Sequence, residues 1–119
     1  MIKGIGLDIV ELDRINKSIK RNERFLQRIL TEEERGILAD LHQEARRVEF
    51  VAGRFAAKEA FSKAAGTGIG KLSFRHINVL KNDQGAPILF AEGYEDTRIW
   101  VSITHGKDHA IAQVILEEK

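Results

Sequence analysis

The spacing of apolar residues changes twice along the chain, and the order of those changes constrains the fold more than any other feature. From Ile2 to Val10 the residues alternate, with Ile5, Leu7 and Ile9 on one face and Gly4, Gly6 and Asp8 on the other, the two-residue period of a β-strand. Spacing is then helical to about residue 65. Ile15, Ile19, Leu26, Ile29 and Leu30 mark a first helical stretch over 11–30, which Asn22 can break in two. Thr31 with Glu34 forms a capping box for another helix that fades near Asp40. Val48, Val51, Ala52 and Phe55 then recur at intervals of 3 and 4 in a long helix over 45–65, which Gly66 can stop. Strand-type runs follow at 73–80, 87–90, 98–104 and 110–116, with turns at 82–85 and 105–108. One strand, a block of helices and then several strands is the order of an α+β fold, with a mostly antiparallel sheet packed against a long helix and shorter helices.

The chain has 119 residues, 43% of them apolar, so a single domain over 1–119 with one core is expected. It has no cysteine, which excludes a disulfide framework, a thiolate metal site and a cysteine nucleophile, and fits a cytoplasmic location. The apolar start is too short to span a bilayer and contains Asp8, so no membrane role is expected. Net charge is only +1, so a basic surface has to come from arrangement.

Several residues could carry chemistry. Glu59 continues the long helix's stripe of Val48, Val51 and Phe55, together with Ser62, Lys63 and Gly66, and a carboxylate in line with a core stripe needs a partner. That partner is either Lys63 four residues on or a metal ion. Asp8, on the glycine face of its strand, either caps the next helix or is a second ligand. Two carboxylates without a nearby His or Cys cluster suit Mg²⁺, which leaves room for water and substrate phosphate. The loop Gly66-Thr67-Gly68-Ile69-Gly70 is not a P-loop: Ala65 and Leu72 stand where Gly and Ser or Thr are required, and it follows a helix where a P-loop follows a strand. It is either a helix stop with a tight turn or a ligand cradle of backbone N–H groups. Arg14, Lys17, Arg21, Arg24 and Arg28 recur at 3 and 4, and 11–30 holds six basic and three acidic residues. Such a stripe is a solvated face or a dock for an acidic partner; without interleaved aromatics, nucleic acid is not favoured. His105, at a hairpin end, is structural or joins Lys63 and Arg54 around nucleotide phosphates.

Together these segments resemble the 4′-phosphopantetheinyl transferase superfamily, in its small single-domain holo-acyl-carrier-protein synthase branch. Gly6-Leu7-Asp8-Ile9-Val10-Glu11 is similar to the first motif of that family, and Phe55-Ala56-Ala57-Lys58-Glu59-Ala60-Phe61-Ser62-Lys63 to its aromatic-x-x-Lys-Glu-Ala-x-x-Lys motif. The glycine loop, Gly85-Ala86-Pro87 and Ser102-Ile103-Thr104-His105 match in order and spacing. The resemblance implies a homotrimer with coenzyme A in clefts between subunits, and transfer of phosphopantetheine from coenzyme A to a serine of apo acyl carrier protein in fatty-acid biosynthesis. Asp8 and Glu59 would hold Mg²⁺, with Lys63 beside them as a catalytic residue. Lys63, Arg54 and His105 would meet phosphates, and Ser62, Gly66 and Thr104 would make close contacts with the coenzyme. Arg14, Arg21, Arg24 and Arg28 would meet the acidic helix of the carrier protein. Larger two-domain relatives have Asp-x-Glu on the metal strand; Val10 replaces that Glu here, so the resemblance implies a water in its place. The rivals are a non-catalytic coenzyme A or carrier-binding adaptor, against which Asp8, Glu59 and Lys63 argue, and an RNA-binding protein supported only by the arginines.

Overall fold

The computed structural model describes residues 1–67 and 73–119. Strand β1 (Ile2–Glu11) leads into helices α1 (Leu12–Arg21), α2 (Phe25–Ile29), α3 (Glu32–Ala39) and α4 (Glu44–Ala65). A 3₁₀ turn (Phe74–His76) then enters β2 (Ile77–Lys81), followed by β3 (Pro87–Ala91), β4 (Thr97–His105) and β5 (His109–Glu118). The strands form an antiparallel sheet of order β1-β5-β4 and an antiparallel β2-β3 hairpin, in line with the α+β expectation.

Local chemistry accounts for several boundaries. The Thr31 hydroxyl accepts from the Glu34 N–H while the Glu34 carboxylate accepts from the Thr31 N–H, so the expected capping box starts α3. Gly66 ends α4 at φ +76°, a left-handed conformation open to glycine at no steric cost. In the β2-β3 turn, Asn82 Oδ1 accepts from the N–H groups of Gln84 and Ala86.

Three expectations are corrected. The basic stripe is not continuous: the stretch breaks at Asn22 as its sequence allows, so Arg14, Lys17 and Arg21 lie on α1, Arg24 stands at the N-cap position of α2 and Arg28 lies within α2. The run over 73–80 begins as a 3₁₀ turn and is a strand only from Ile77, because Phe74 is drawn onto α4, where it stacks on Phe55 with ring centroids 5.4 Å apart. Finally, α4 is buried on nearly every side, as expected for a helix at the centre of a core, and Phe55, Glu59 and Lys63 mark its more open side and not an inward stripe.

The packing of α4 on β1 determines the site. A methyl group at Gly4 would overlap the Ala64 carbonyl, and one at Gly6 the Ala60 carbonyl, so the two glycines let the helix backbone lie directly on the strand. The space they clear is filled by α4 and is not left open beside Asp8. Ala110, Ala112, Val114 and Leu116 of β5 complete the inner face. Inside this core Lys58 and Glu34, both 0% exposed, form an ion pair of 2.6 Å.

Candidate active site

Asp8 and Glu59 come from elements far apart in sequence, and the glycine-mediated contact of β1 with α4 brings them together. Glu59 has its carboxyl pushed above the usual carboxylate range, first by partial burial and then by the negative charge of Asp8; Lys63 and Arg14 oppose this. Lys63 donates to Asp8 Oδ1 and to the Leu7 carbonyl, both at 3.0 Å. The Glu59–Lys63 ion pair allowed by their spacing does not form, because the ammonium reaches across to β1. Among the described residues no ion pair engages Glu59, and no group of three or more carboxylate or imidazole side chains gathers anywhere. Two carboxylates close enough to repel, with one cation between strand and helix, fit a hard divalent ion that completes its shell with water and phosphate.

Nearby residues have more limited roles. The Ser62 hydroxyl is buried and donates to the Glu59 carbonyl at 2.8 Å, so it braces the helix backbone beside the carboxylate. Gly66 is the exposed end of α4; Gly68 and Gly70 lie outside the described residues. Arg14 is exposed on α1, with its guanidinium 5.9 Å from the centre of the Phe55 ring, and Arg21, Arg24 and Arg28 are exposed.

Arg54 and His105 line a separate cavity of about 560 Å³, with Arg46, Phe50, Pro87 and Ile103. Arg54 is 6% exposed, its guanidinium lies 4.0 Å from the centre of the Phe50 ring, and its buried Nε has no hydrogen-bond partner among the described residues. Burial pulls its pKa below the usual arginine range, opposed by Glu34. A buried cation with an unused donor is suited to an anion entering from the cavity. Thr104 alternates to the opposite face of the sheet, next to Ile111, and does not line this cavity. Nine residues of about 100° each separate Arg54 from Lys63, placing them on opposite sides of α4. One chain therefore carries the predicted phosphate ligands in two patches.

Arg46 and Phe50 lie outside the motifs, although Arg46, Phe50 and Arg54 recur at i, i+4 and i+8 on one side of α4. The motifs also give Lys58 no role. A lysine between Ala57 and Ala60 on a buried helix was the available signal. A larger cleft, about 740 Å³, opens between α3, β3 and β4 and contains none of the predicted residues.

The 4′-phosphopantetheinyl transferase superfamily model matches residues 4–114. The chain belongs to this superfamily. It is 54% identical over 119 residues to a holo-[acyl-carrier-protein] synthase of Oceanobacillus iheyensis, covering 100% of this chain and 99% of the relative. With the Geobacillus sp. enzyme of the same name it shares 58% identity over 118 residues, covering 98% of each. Among solved structures, a holo-(acyl-carrier-protein) synthase from Bacillus anthracis in complex with CoA (3′,5′-ADP) is 52% identical, with TM-score 0.92 over 100% of this chain and 99% of the other. A Helicobacter pylori holo-[acyl-carrier-protein] synthase in complex with coenzyme A is 38% identical, with TM-score 0.83 over 95% and 99%. The chain is thus a transferase with the fold of the holo-acyl-carrier-protein synthases, and both family motifs lie within the matched residues.

Proposed function

We propose that this chain, acting as one domain over 1–119, moves the 4′-phosphopantetheine group of coenzyme A onto a serine of apo acyl carrier protein, with Mg²⁺ and in the service of fatty-acid biosynthesis in the cytoplasm. The observation that carries this reading is the meeting of Asp8 and Glu59 at the β1–α4 contact, where their charges repel, Lys63 pairs with Asp8 alone and Arg14 adds a second opposing charge without an ion pair among the described residues. These two side chains would hold Mg²⁺, which neutralises a pyrophosphate and stabilises charge on the leaving oxygen.

The chain's own residues position the reactants. The unused Nε of Arg54, with His105 and Arg46 nearby, suits a phosphate of the nucleotide end of coenzyme A, and the Phe50 side of the cavity suits its flat base. Lys63 suits the pyrophosphate, while Ser62 and Gly66 fix the helix end beside it; Thr104, on the other face of the sheet, would reach a coenzyme held by a neighbouring copy. The carrier serine would attack the β-phosphorus in line, releasing adenosine 3′,5′-bisphosphate, with rate enhancement drawn from orientation and charge stabilisation. Exposed Arg14, Arg21, Arg24 and Arg28 would steer an acidic carrier helix towards that serine's target.

Because Arg54 and Lys63 point away from one another across α4, a second copy would complete the cleft. The outer face of the sheet supports such assembly: Ile5, Leu7 and Ile9 are 61%, 57% and 59% exposed, and Ile111, Ile115 and Trp100 share that face by register. A sheet face with so many exposed apolar side chains, interrupted by Gln113, Ser102 and Thr104, marks an interaction surface, and we read it as the centre of a homotrimer. No membrane contact is part of the reading, and no described helix is long and apolar enough to cross a bilayer.

Intact-mass measurement of apo carrier protein incubated with coenzyme A, Mg²⁺ and this protein tests the activity. The expected product has gained one phosphopantetheine group; an unchanged carrier mass across several divalent metals overturns the proposal.

A further inference from the structure

Lys63 is a long, half-exposed side chain, yet its ammonium contacts β1 at two points, Asp8 Oδ1 and the Leu7 carbonyl, each at 3.0 Å. Its side chain is 54% exposed and that of Asp8 16%, so the charge is held at the mouth of the carboxylate pair and not deep inside it. Glu59 lies one helical turn before Lys63 on the same side of α4, and no ion pair among the described residues engages it. The lysine has therefore taken the strand carboxylate and left the helix carboxylate. That choice places a positive charge on one of the two groups that would hold a cation.

We propose that Lys63 is a resident counterion that competes with the divalent metal for Asp8 and gives way when coenzyme A arrives, coupling metal binding to coenzyme binding. The inference rests on the metal reading above and adds an order to it. An ammonium and a divalent cation cannot both sit close to the same carboxylate oxygen without strong repulsion. In the free protein the ammonium holds Asp8 Oδ1, so a metal has either to displace it or to bind through Oδ2 beside a like charge, and either course weakens binding of metal alone. With coenzyme A present, the released ammonium has a pyrophosphate to move to, and its flexible four-carbon stem on the open side of α4 allows the change. Each ligand then strengthens the other, by the same factor in either order. A free site that takes up metal poorly is also protected from other divalent ions until substrate is present.

Mn²⁺ titration followed by the loss of its free-ion electron paramagnetic resonance signal reads this without turnover. It is run with and without coenzyme A, against blanks for Mn²⁺ bound by coenzyme A alone. The wild-type protein should bind Mn²⁺ weakly by itself and more tightly with coenzyme A. Lys63→Met, with Lys63→Gln as a second variant should the first fold poorly, should bind Mn²⁺ alone roughly five- to tenfold more tightly than wild type, and the enhancement by coenzyme A should shrink by a similar factor. Asp8→Asn should lose Mn²⁺ in both conditions. Equal or weaker binding of Mn²⁺ by the Lys63 variants, with Asp8→Asn still defective, overturns the competition and leaves the metal reading standing. Mn²⁺ binding that survives Asp8→Asn, or that is absent from every protein, overturns the metal reading and the competition with it.

Discussion

Two lysines five residues apart on α4 each reach a carboxylate and a backbone carbonyl of other elements, and they differ in burial and in what their carboxylates are left free to do. Lys58 is fully buried and donates to Glu34 Oε1 at 2.6 Å, to the Ile29 carbonyl at 2.7 Å and to the Phe74 carbonyl at 3.1 Å. Both oxygens of the carboxylate it meets are also engaged: Glu34 Oε1 accepts in addition from the Thr31 N–H, and Oε2 accepts from the Val79 N–H. Burial lowers the Lys58 pKa, and Glu34 opposes the shift. Lys63 sits at the surface with two acceptors and leaves a second carboxylate, Glu59, to one side. The first pair spends all three ammonium donors and engages both carboxylate oxygens in joining α2, α3, α4 and the 3₁₀ turn. Capacity remains at the second, which is the condition for binding something else.

The sharpest way to break this contrast is to remove one member of each pair and ask which property fails. Asp8→Ala should lower turnover to below about one-hundredth of wild type, as expected for loss of a ligand. Its melting temperature should stay within about 8 °C, since a part-exposed ion pair contributes at most ~1 kcal/mol. Near-normal turnover would remove Asp8 from the site. Lys58→Met should instead cost about 3–5 kcal/mol in urea denaturation by stranding the buried Glu34 charge, whereas Lys63→Met should cost less than about 1 kcal/mol. Equal losses for the two lysines would erase the distinction between them.

A smaller effect sharpens the picture at Glu59. Its carboxyl is harder to ionise in the folded chain than in the unfolded one, so folding takes up protons and stability falls as pH rises from the ordinary carboxylate range through the raised pKa. Glu59→Gln should therefore melt slightly above wild type at neutral pH, with the gain disappearing as pH falls below that window. A difference in melting temperature that is constant with pH would count against the repulsion between Asp8 and Glu59.

The parts of this molecule legible in the sequence are those encoded by neighbours. Thr31 and Glu34 announce a helix start because both partners lie within four residues, and Gly66 announces a helix end because its own backbone adopts the required φ. The second role of Glu34 was hidden, since Lys58 and Val79 are 24 and 45 residues away. Phe74 shows the same limit: strand-like alternation runs through it, but contact with Lys58 and Phe55 bends the backbone into a 3₁₀ turn. At Gly4 and Gly6 the alternation was readable, while the helix that fills the space was not. Asp8, Glu59 and Lys63 stood out as chemistry out of place in their elements, and the fold does bring them together. The separation of Arg54 from Lys63 by half the circumference of α4 needed only the helical repeat and could have been drawn from their numbers.

The chain's one tryptophan, Trp100, stands on the open sheet face with 55% of its surface exposed, and its indole N–H donates to Glu117 Oε1 at 3.0 Å. Indole emission responds to hydration and to nearby charge. This protein thus carries an intrinsic fluorophore on the surface where copies would meet, and dilution through a dissociation point would register as a red shift without any label.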